Sequence, residues 1–187
     1  MKRTPSDWTK LSEQPPVDLH IFKLRQLQAA DPRDGTPHPR VLLDCPDWVN
    51  VIPVTKGAQI VMIRQFRFGI WSVTLELPGG MVDPGEDPAT AVARELEEET
   101  GYRPGKLVSL GWCHPNPAIM NNRLHSFLAL DCEQVHGGAP DAAEDIAIEL
   151  YPRSKVEQFL RDGTISHSAV VTAFSFEQLR GPKAGGG

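Results

Sequence analysis

Between residues 41 and 77 the apolar positions come in short runs, each about the length of a strand and each broken by Pro, Gly or Asp. The spacing predicts strands over 41–44, 48–55, 59–66 and 71–77. In the last of these, Trp71, Val73, Leu75 and Leu77 fall on one face and Ser72, Thr74 and Glu76 on the other. Upstream, VDLHIFKLRQLQ roughly alternates and predicts another strand, while AADPRDGTPHPR reads as a turn and residues 1–17 as partly loose. Downstream the period changes. Residues 88–100 repeat as a helix, with Asp87 at the N-cap, Pro88 in the first position and Gly101 at the C-cap. Strands are expected over 106–112, 124–130 and 146–151, and a small acidic, mobile loop over 137–145. Helices are expected over 154–161, ended by Gly163, and over 168–179, with Val171, Phe174 and Leu179 facing the core. Strands precede the first helix instead of alternating with helices, which predicts a mixed α and β chain.

Composition narrows the choice of function. The 187 residues carry 19 Lys and Arg against 24 Asp and Glu, a net charge of -5. An acidic chain without a basic block is a poor partner for nucleic acid. The apolar runs are too short to span a membrane, and MKRTPSDWTK has no apolar stretch of a secretory signal. Cys45, Cys113 and Cys132 are odd in number and show no CxxC spacing, as in a reduced, cytoplasmic protein.

The helix over 88–100 carries the chemistry. At 100° per residue, Glu95, Glu98 and Glu99 share an arc of about 100°, and Glu97 points away. Ala89, Val92, Ala93 and Leu96 form a separate apolar stripe. Gathering three carboxylates is unfavourable, and near a helix C-terminus it also opposes the macrodipole. A hard divalent cation reverses the sign of that repulsion, and Mg²⁺ favours oxygen ligands shared with substrate phosphates. Arg94, four residues before Glu98, can hold that carboxylate in place. Gly79 and Gly80 leave the backbone bare beside the turn.

Gly80, Glu86, Arg94, Glu95, Leu96, Glu98, Glu99, Gly101 and Tyr102 stand at the spacing G-x5-E-x7-R-E-U-x-E-E-x-G-U, where U is apolar. This resembles the signature of the Nudix hydrolases, with Tyr102 where an aliphatic residue is usual. The resemblance implies an α+β fold, an α/β/α sandwich with a mixed sheet. A small antiparallel sheet would precede it. Residues 1–47 would then form N-terminal, dimerising strands and 48–187 the catalytic domain. It implies hydrolysis of a nucleoside diphosphate linked to another moiety with Mg²⁺, or else Mn²⁺. Glu95, Glu99 and the Gly79 carbonyl resemble metal ligands. Glu98 resembles a further ligand or the general base, and Arg94 and Glu86 resemble groups that orient the glutamates. Glu144, in the acidic loop, is the other candidate base.

The branch acting on ADP-ribose and nucleoside diphosphate sugars is suggested by QFRFG before LELPGG and by Pro117, sixteen residues after Gly101. By that resemblance Gln65, Arg67 and Glu76 meet phosphate and ribose beside Gly80, Asn116 and Pro117 line the substrate, and Trp48 or Phe22 stacks on a nucleobase. HPNPAIMNNR departs from the form usual in ADP-ribose enzymes and favours a broader range of sugars. Other readings are a Nudix hydrolase of dNTPs, dinucleoside polyphosphates or coenzyme A, and a nucleotide-sugar sensor without turnover. The six histidines show no metal spacing and are expected to be structural or exposed.

Overall fold

The computed structural model describes residues 4–138 and 145–180. The chain divides into two compact units, Met1–Pro46 with Asn116–Asn122, and Asp47–Pro115 with Arg123–Gly187. The segment Asn116–Asn122 was expected in the catalytic domain and packs instead with the N-terminal strands.

The first unit is an antiparallel sheet of β1 (Thr9–Glu13), β2 (Val17–Asp18), β3 (Lys23–Ala30) and β4 (Pro37–Asp44). Strand β3 is central, with β4 along one edge and β1 and β2 along the other. Three expectations are corrected here. The loose N-terminus contains β1, a polar strand held by its ladder and by a fork from Arg25 to Glu13. The single strand of VDLHIFKLRQLQ is split at His20, whose φ is 68°. The turn shrinks to residues 31–36, because Pro37 and Pro39 lie on β4, an edge strand where a missing N–H costs little.

In the second unit, β5 (Trp48–Thr55), β6 (Gln59–Arg67), β7 (Ser72–Glu76), β8 (Tyr102–Arg103), β9 (Lys106–Cys113), β10 (Leu124–Gln134) and β11 (Ile146–Pro152) form a seven-stranded mixed sheet. Strands β5 and β10 run parallel, and the other pairs are antiparallel. Alternate residues of β5 serve two cores. Val49 and Val51 pack with Ala91, Val92 and Leu96 of α1 (Pro88–Thr100). Ile52 packs with Val156 of α2 (Arg153–Asp162) and with Val170 and Phe174 of α3 (Ser168–Arg180). The result is an α/β/α sandwich, and burial on both faces explains the nearly unbroken apolar run of β5.

All three helices lie where periodicity puts them, to within a residue or so at each end. Helix α1 has its caps as expected. The Asp87 carboxylate accepts from Ala89 N–H at 2.9 Å, and Gly101 turns left-handed at φ 72°. One facial assignment is corrected. On α3 the core positions are Val170, Ala173 and Phe174, an i, i+3, i+4 set, while Val171 and Leu179 are exposed. Strand β7 begins at Ser72, after Trp71 at φ 54°, and its Thr74, Leu75 and Glu76 are all buried while Val73 is exposed. No helix among the described residues is long and apolar enough to cross a membrane. The three cysteines are free.

Candidate active site

The site is built where α1 meets the backbone that follows β7. Val49 and Gly80 exchange a pair of backbone hydrogen bonds of 2.9 and 3.1 Å, and Val51 N–H donates to the Pro78 carbonyl. This ladder presses residues 78–80 against β5. At Gly79 a Cβ would lie 2.2 Å from the Val49 carbonyl oxygen. At Gly80 it would lie 2.5 Å from the Glu95 carboxylate carbon. One glycine makes room for backbone, the other for a carboxylate.

Arg94 is the hub of the carboxylates. Its Nε and Nη2 donate to the two oxygens of Glu86 at 3.1 and 3.0 Å. Its Nη1 donates to Glu95 at 2.9 Å and to Glu98 at 3.0 Å, and Nη2 also reaches the Met81 carbonyl. The Arg94 fork, with the Asp83 N–H beside it, holds the Glu86 carboxyl below the usual carboxylate range. Glu86 in turn makes the guanidinium harder to deprotonate. Arg94 thus touches Glu95 and Glu98 directly, and Glu86 is linked to them only through Arg94.

Glu99 departs from the simple picture of an acidic face. It lies inside the buried stripe of α1, with Ala91, Val92, Leu96 and Thr100, and its Oε2 accepts from Gly79 N–H at 2.9 Å. Glu98 is half exposed and Glu95 mostly covered. Among the described residues no three acidic, imidazole or thiol groups stand in a ready cage for a metal, because Glu95 and Glu98 are turned onto Arg94. The donor set nonetheless suits a hard cation: three carboxylates, and a Gly79 carbonyl that accepts no hydrogen bond from the described residues.

A cleft of about 250 Å³ adjoins this centre, lined by Trp48, Asn50, Arg67, Glu76, Gly79 and Gly80 among others. Arg67 donates to Glu76 in a fork of 2.8 and 2.7 Å, and the Thr74 hydroxyl donates to the same carboxylate. Burial alone would raise the Glu76 carboxyl, but Arg67 and Thr74 outweigh it and hold it low. The expected substrate residues Trp48, Arg67, Glu76 and Gly80 are therefore gathered in one cleft, while Gln65 lines the cavity beside it. Asn116 and Pro117 belong to the first unit, where the Asn116 carbonyl closes a turn onto Met120 N–H. Phe22 also belongs to the first unit, and Glu144 lies outside the described residues.

Two residues of the cleft escaped sequence reasoning. Asn50 is 5% exposed and donates to the Ala169 carbonyl at 2.8 Å, which ties β5 to the start of α3. Its signal was a lone amide in the apolar run VNVIPV. His167, just before α3, had no signal beyond being a histidine.

The glycine geometry separates two outcomes. Gly79→Ala should destabilise the fold by about 3 kcal/mol, because its Cβ meets backbone that cannot yield. Gly80→Ala should keep its melting temperature within a few degrees, because only a side-chain end must move. By displacing Glu95 it should still lower kcat at least about tenfold. Thermal melts and steady-state kinetics on both variants check this, and equal melting temperatures would refute it.

The NUDIX domain family matches residues 46–174 of the chain. The ADP-ribose pyrophosphatase of Bacillus subtilis is 35% identical over 96 residues, 51% of this chain and 52% of that protein. The chain thus aligns with about half the length of that relative. A methanol dehydrogenase activator of Bacillus methanolicus is 29% identical over 162 residues, 86% of each protein. Among solved structures, an ADP compounds hydrolase superposes with a TM-score of 0.82 at 20% identity, covering 95% of this chain and 96% of that one. That likeness speaks for the fold.

Proposed function

The chain belongs to the Nudix family, and from that footing we propose that it hydrolyses the diphosphate linkage of ADP-ribose or a related nucleoside diphosphate sugar. The products are a nucleoside monophosphate and a sugar phosphate. One observation carries the reading. The Gly79-Gly80 backbone is shared by the Arg94-organised glutamates on one side and by a cleft holding Trp48, Arg67 and Glu76 on the other. A diphosphate seated at that backbone meets both. The name of the Bacillus subtilis relative agrees with the substrate class.

Nudix hydrolases generally depend on a divalent cation. Here Glu95, Glu98, Glu99 and the Gly79 carbonyl would hold it, with Mg²⁺ favoured for an all-oxygen set. Such a cation neutralises diphosphate charge and acidifies the attacking water. The chain's own residues do the rest. Arg94 fixes the glutamate rotamers, Gly79 N–H fixes Glu99, and the Arg67–Glu76 pair fixes one wall of the cleft. Trp48 offers a flat face to a base. Glu98, half exposed, or Glu144 takes the water's proton. The same reading takes the protein to be a cytoplasmic homodimer joined through its N-terminal strands, and light scattering in solution reads its mass.

The decisive experiment is a panel of nucleoside diphosphate sugars, dinucleotides and dNTPs with Mg²⁺, with products identified by mass. A nucleoside monophosphate plus a sugar phosphate is expected, whereas pyrophosphate from a dNTP would place the substrate elsewhere in the family. Glu98→Gln and Glu144→Gln then separate the two bases. The true base should cost at least about a hundredfold in kcat, and a loss under about tenfold removes that residue from the role. Binding of ADP-ribose without any turnover would make the chain a sensor.

A further inference from the structure

Beside the cleft lies a second, larger cavity of about 600 Å³, whose lining includes Gln65, Phe66, Phe68, Thr74 and Ser166. Among the described residues the two share only Arg67 and His167. We propose that they form one bipartite substrate site. The nucleotide half lies in the smaller cleft against Trp48, the sugar-phosphate half lies in the larger cavity, and His167 is the positioning residue at the partition. This deepens the nucleoside diphosphate sugar reading and rests on it.

The chemistry of the linings differs in the required direction. In the larger cavity the Gln65 Oε1 is buried and accepts no hydrogen bond from the described residues. A buried acceptor without a partner is costly unless a ligand or water supplies the donor, and a sugar is rich in hydroxyl donors. The Ser166 hydroxyl can donate or accept. Phe66 and Phe68, edge to face at 5.2 Å, present apolar surface suited to the C–H face of a sugar ring. The smaller cleft has the indole of Trp48 and the glycine backbone next to the glutamates.

His167 is fixed in a single tautomer. Its Nδ1 accepts from Ala169 N–H at 3.1 Å, capping the first turn of α3, so in the neutral ring the proton is on Nε2. Nε2 stands 3.8 Å from the nearer oxygen of Glu76, too far for a hydrogen bond. That carboxylate already accepts from Arg67 and Thr74. The Nε2–H donor is therefore left at the junction of the two cavities, on a side chain one-third exposed (33%). A ligand oxygen on the sugar side of the diphosphate completes it. Asn50 anchors the Ala169 carbonyl and so holds the ring's support in place.

The two functions of the ring can be separated. His167→Asn keeps an acceptor that caps α3 but withdraws the donor from the partition. His167→Gln keeps a donor at nearly the Nε2 position. Calorimetry with ADP-ribose and with AMP, both in EDTA, reads the subsite without turnover. His167→Asn should weaken ADP-ribose about tenfold and AMP less than about twofold, with its melting temperature within a few degrees of the wild type. His167→Gln should recover ADP-ribose to within about threefold, and Gln65→Leu should weaken ADP-ribose about fivefold and spare AMP. Equal weakening of both ligands, or unchanged ADP-ribose affinity in His167→Asn, overturns the bipartite site and leaves the substrate class standing. Failure of the wild type to bind ADP-ribose, UDP-glucose or GDP-mannose overturns both.

Discussion

Glu99→Gln is expected to lower kcat on a nucleoside diphosphate sugar at least about a thousandfold while the protein melts at the same temperature or higher. Of the carboxylates on or beside α1, Glu86, Glu95, Glu98 and Glu99 surround the turn at Gly79 and Gly80, and the guanidinium of Arg94 hydrogen-bonds three of these four. The fourth, Glu99, is buried and turned to the Gly79 amide. A buried anion near others of like sign costs stability unless something offsets it. Replacement by the amide keeps an oxygen for Gly79 N–H and removes one negative charge. The fold therefore loses little, while the donor set for a divalent cation loses a charged oxygen where diphosphate must be neutralised. Glu99→Ala is the control, because it also orphans the Gly79 amide and should lower the melting temperature. Kinetics, melts and a Mg²⁺ titration of activity check the pair. Activity of Glu99→Gln within tenfold of the wild type would sink the metal-clamp account.

Glu99 also marks where sequence reasoning stops. A helical wheel places it with Glu95 and Glu98, which is correct for the angle but silent on burial. What Glu99 is buried against is an amide twenty residues away in sequence, on a turn where Gly79 is dictated by the approach of β5 and Gly80 by the Glu95 carboxylate. Local signals were sufficient for α1, whose caps and first proline are adjacent in the chain. They were sufficient for β5, because a strand covered on both faces leaves a continuous apolar run. They failed for β1, since an exposed strand, TKLSE, has no face to bury and depends on its ladder to β3. They failed on α3, where Val170 and Val171 are chemically identical and only the sheet beneath decides which is covered. Asn50 and His167 belong to the same class. Their parts in the cleft come from tertiary neighbours, and a residue type alone does not name those neighbours.

The second large effect is expected at Arg94. Arg94→Lys should lower kcat about a hundredfold, and Arg94→Ala about a thousandfold with a fall in melting temperature. The guanidinium forks onto Glu86 through Nε and Nη2 while Nη1 bridges Glu95 and Glu98. A lysine ammonium supplies one charge and three donors but no planar fork, so it can approach one carboxylate only by leaving another. Glu95 and Glu98 then lose their common anchor, and small displacements of catalytic groups are costly. The sign of the pH effect is also determined. Arg94 holds the Glu86 carboxyl below its ordinary value of 4.5. The stability from that pair is therefore complete above about pH 4.5 and is lost as acid carries the pH down through the lowered value. Without the guanidinium the Glu86 carboxyl returns toward its ordinary range, so melting temperature should depend less steeply on acid in Arg94→Ala than in the wild type. Melts between about pH 3 and 7 test this, and parallel curves would show that Arg94 does not hold Glu86. A double-mutant cycle with Glu86→Gln adds the energetic side, with non-additivity expected for groups in direct contact. Additivity in that cycle, together with near-normal turnover in Arg94→Lys, would mean that the glutamates are positioned by α1 itself and not by the arginine.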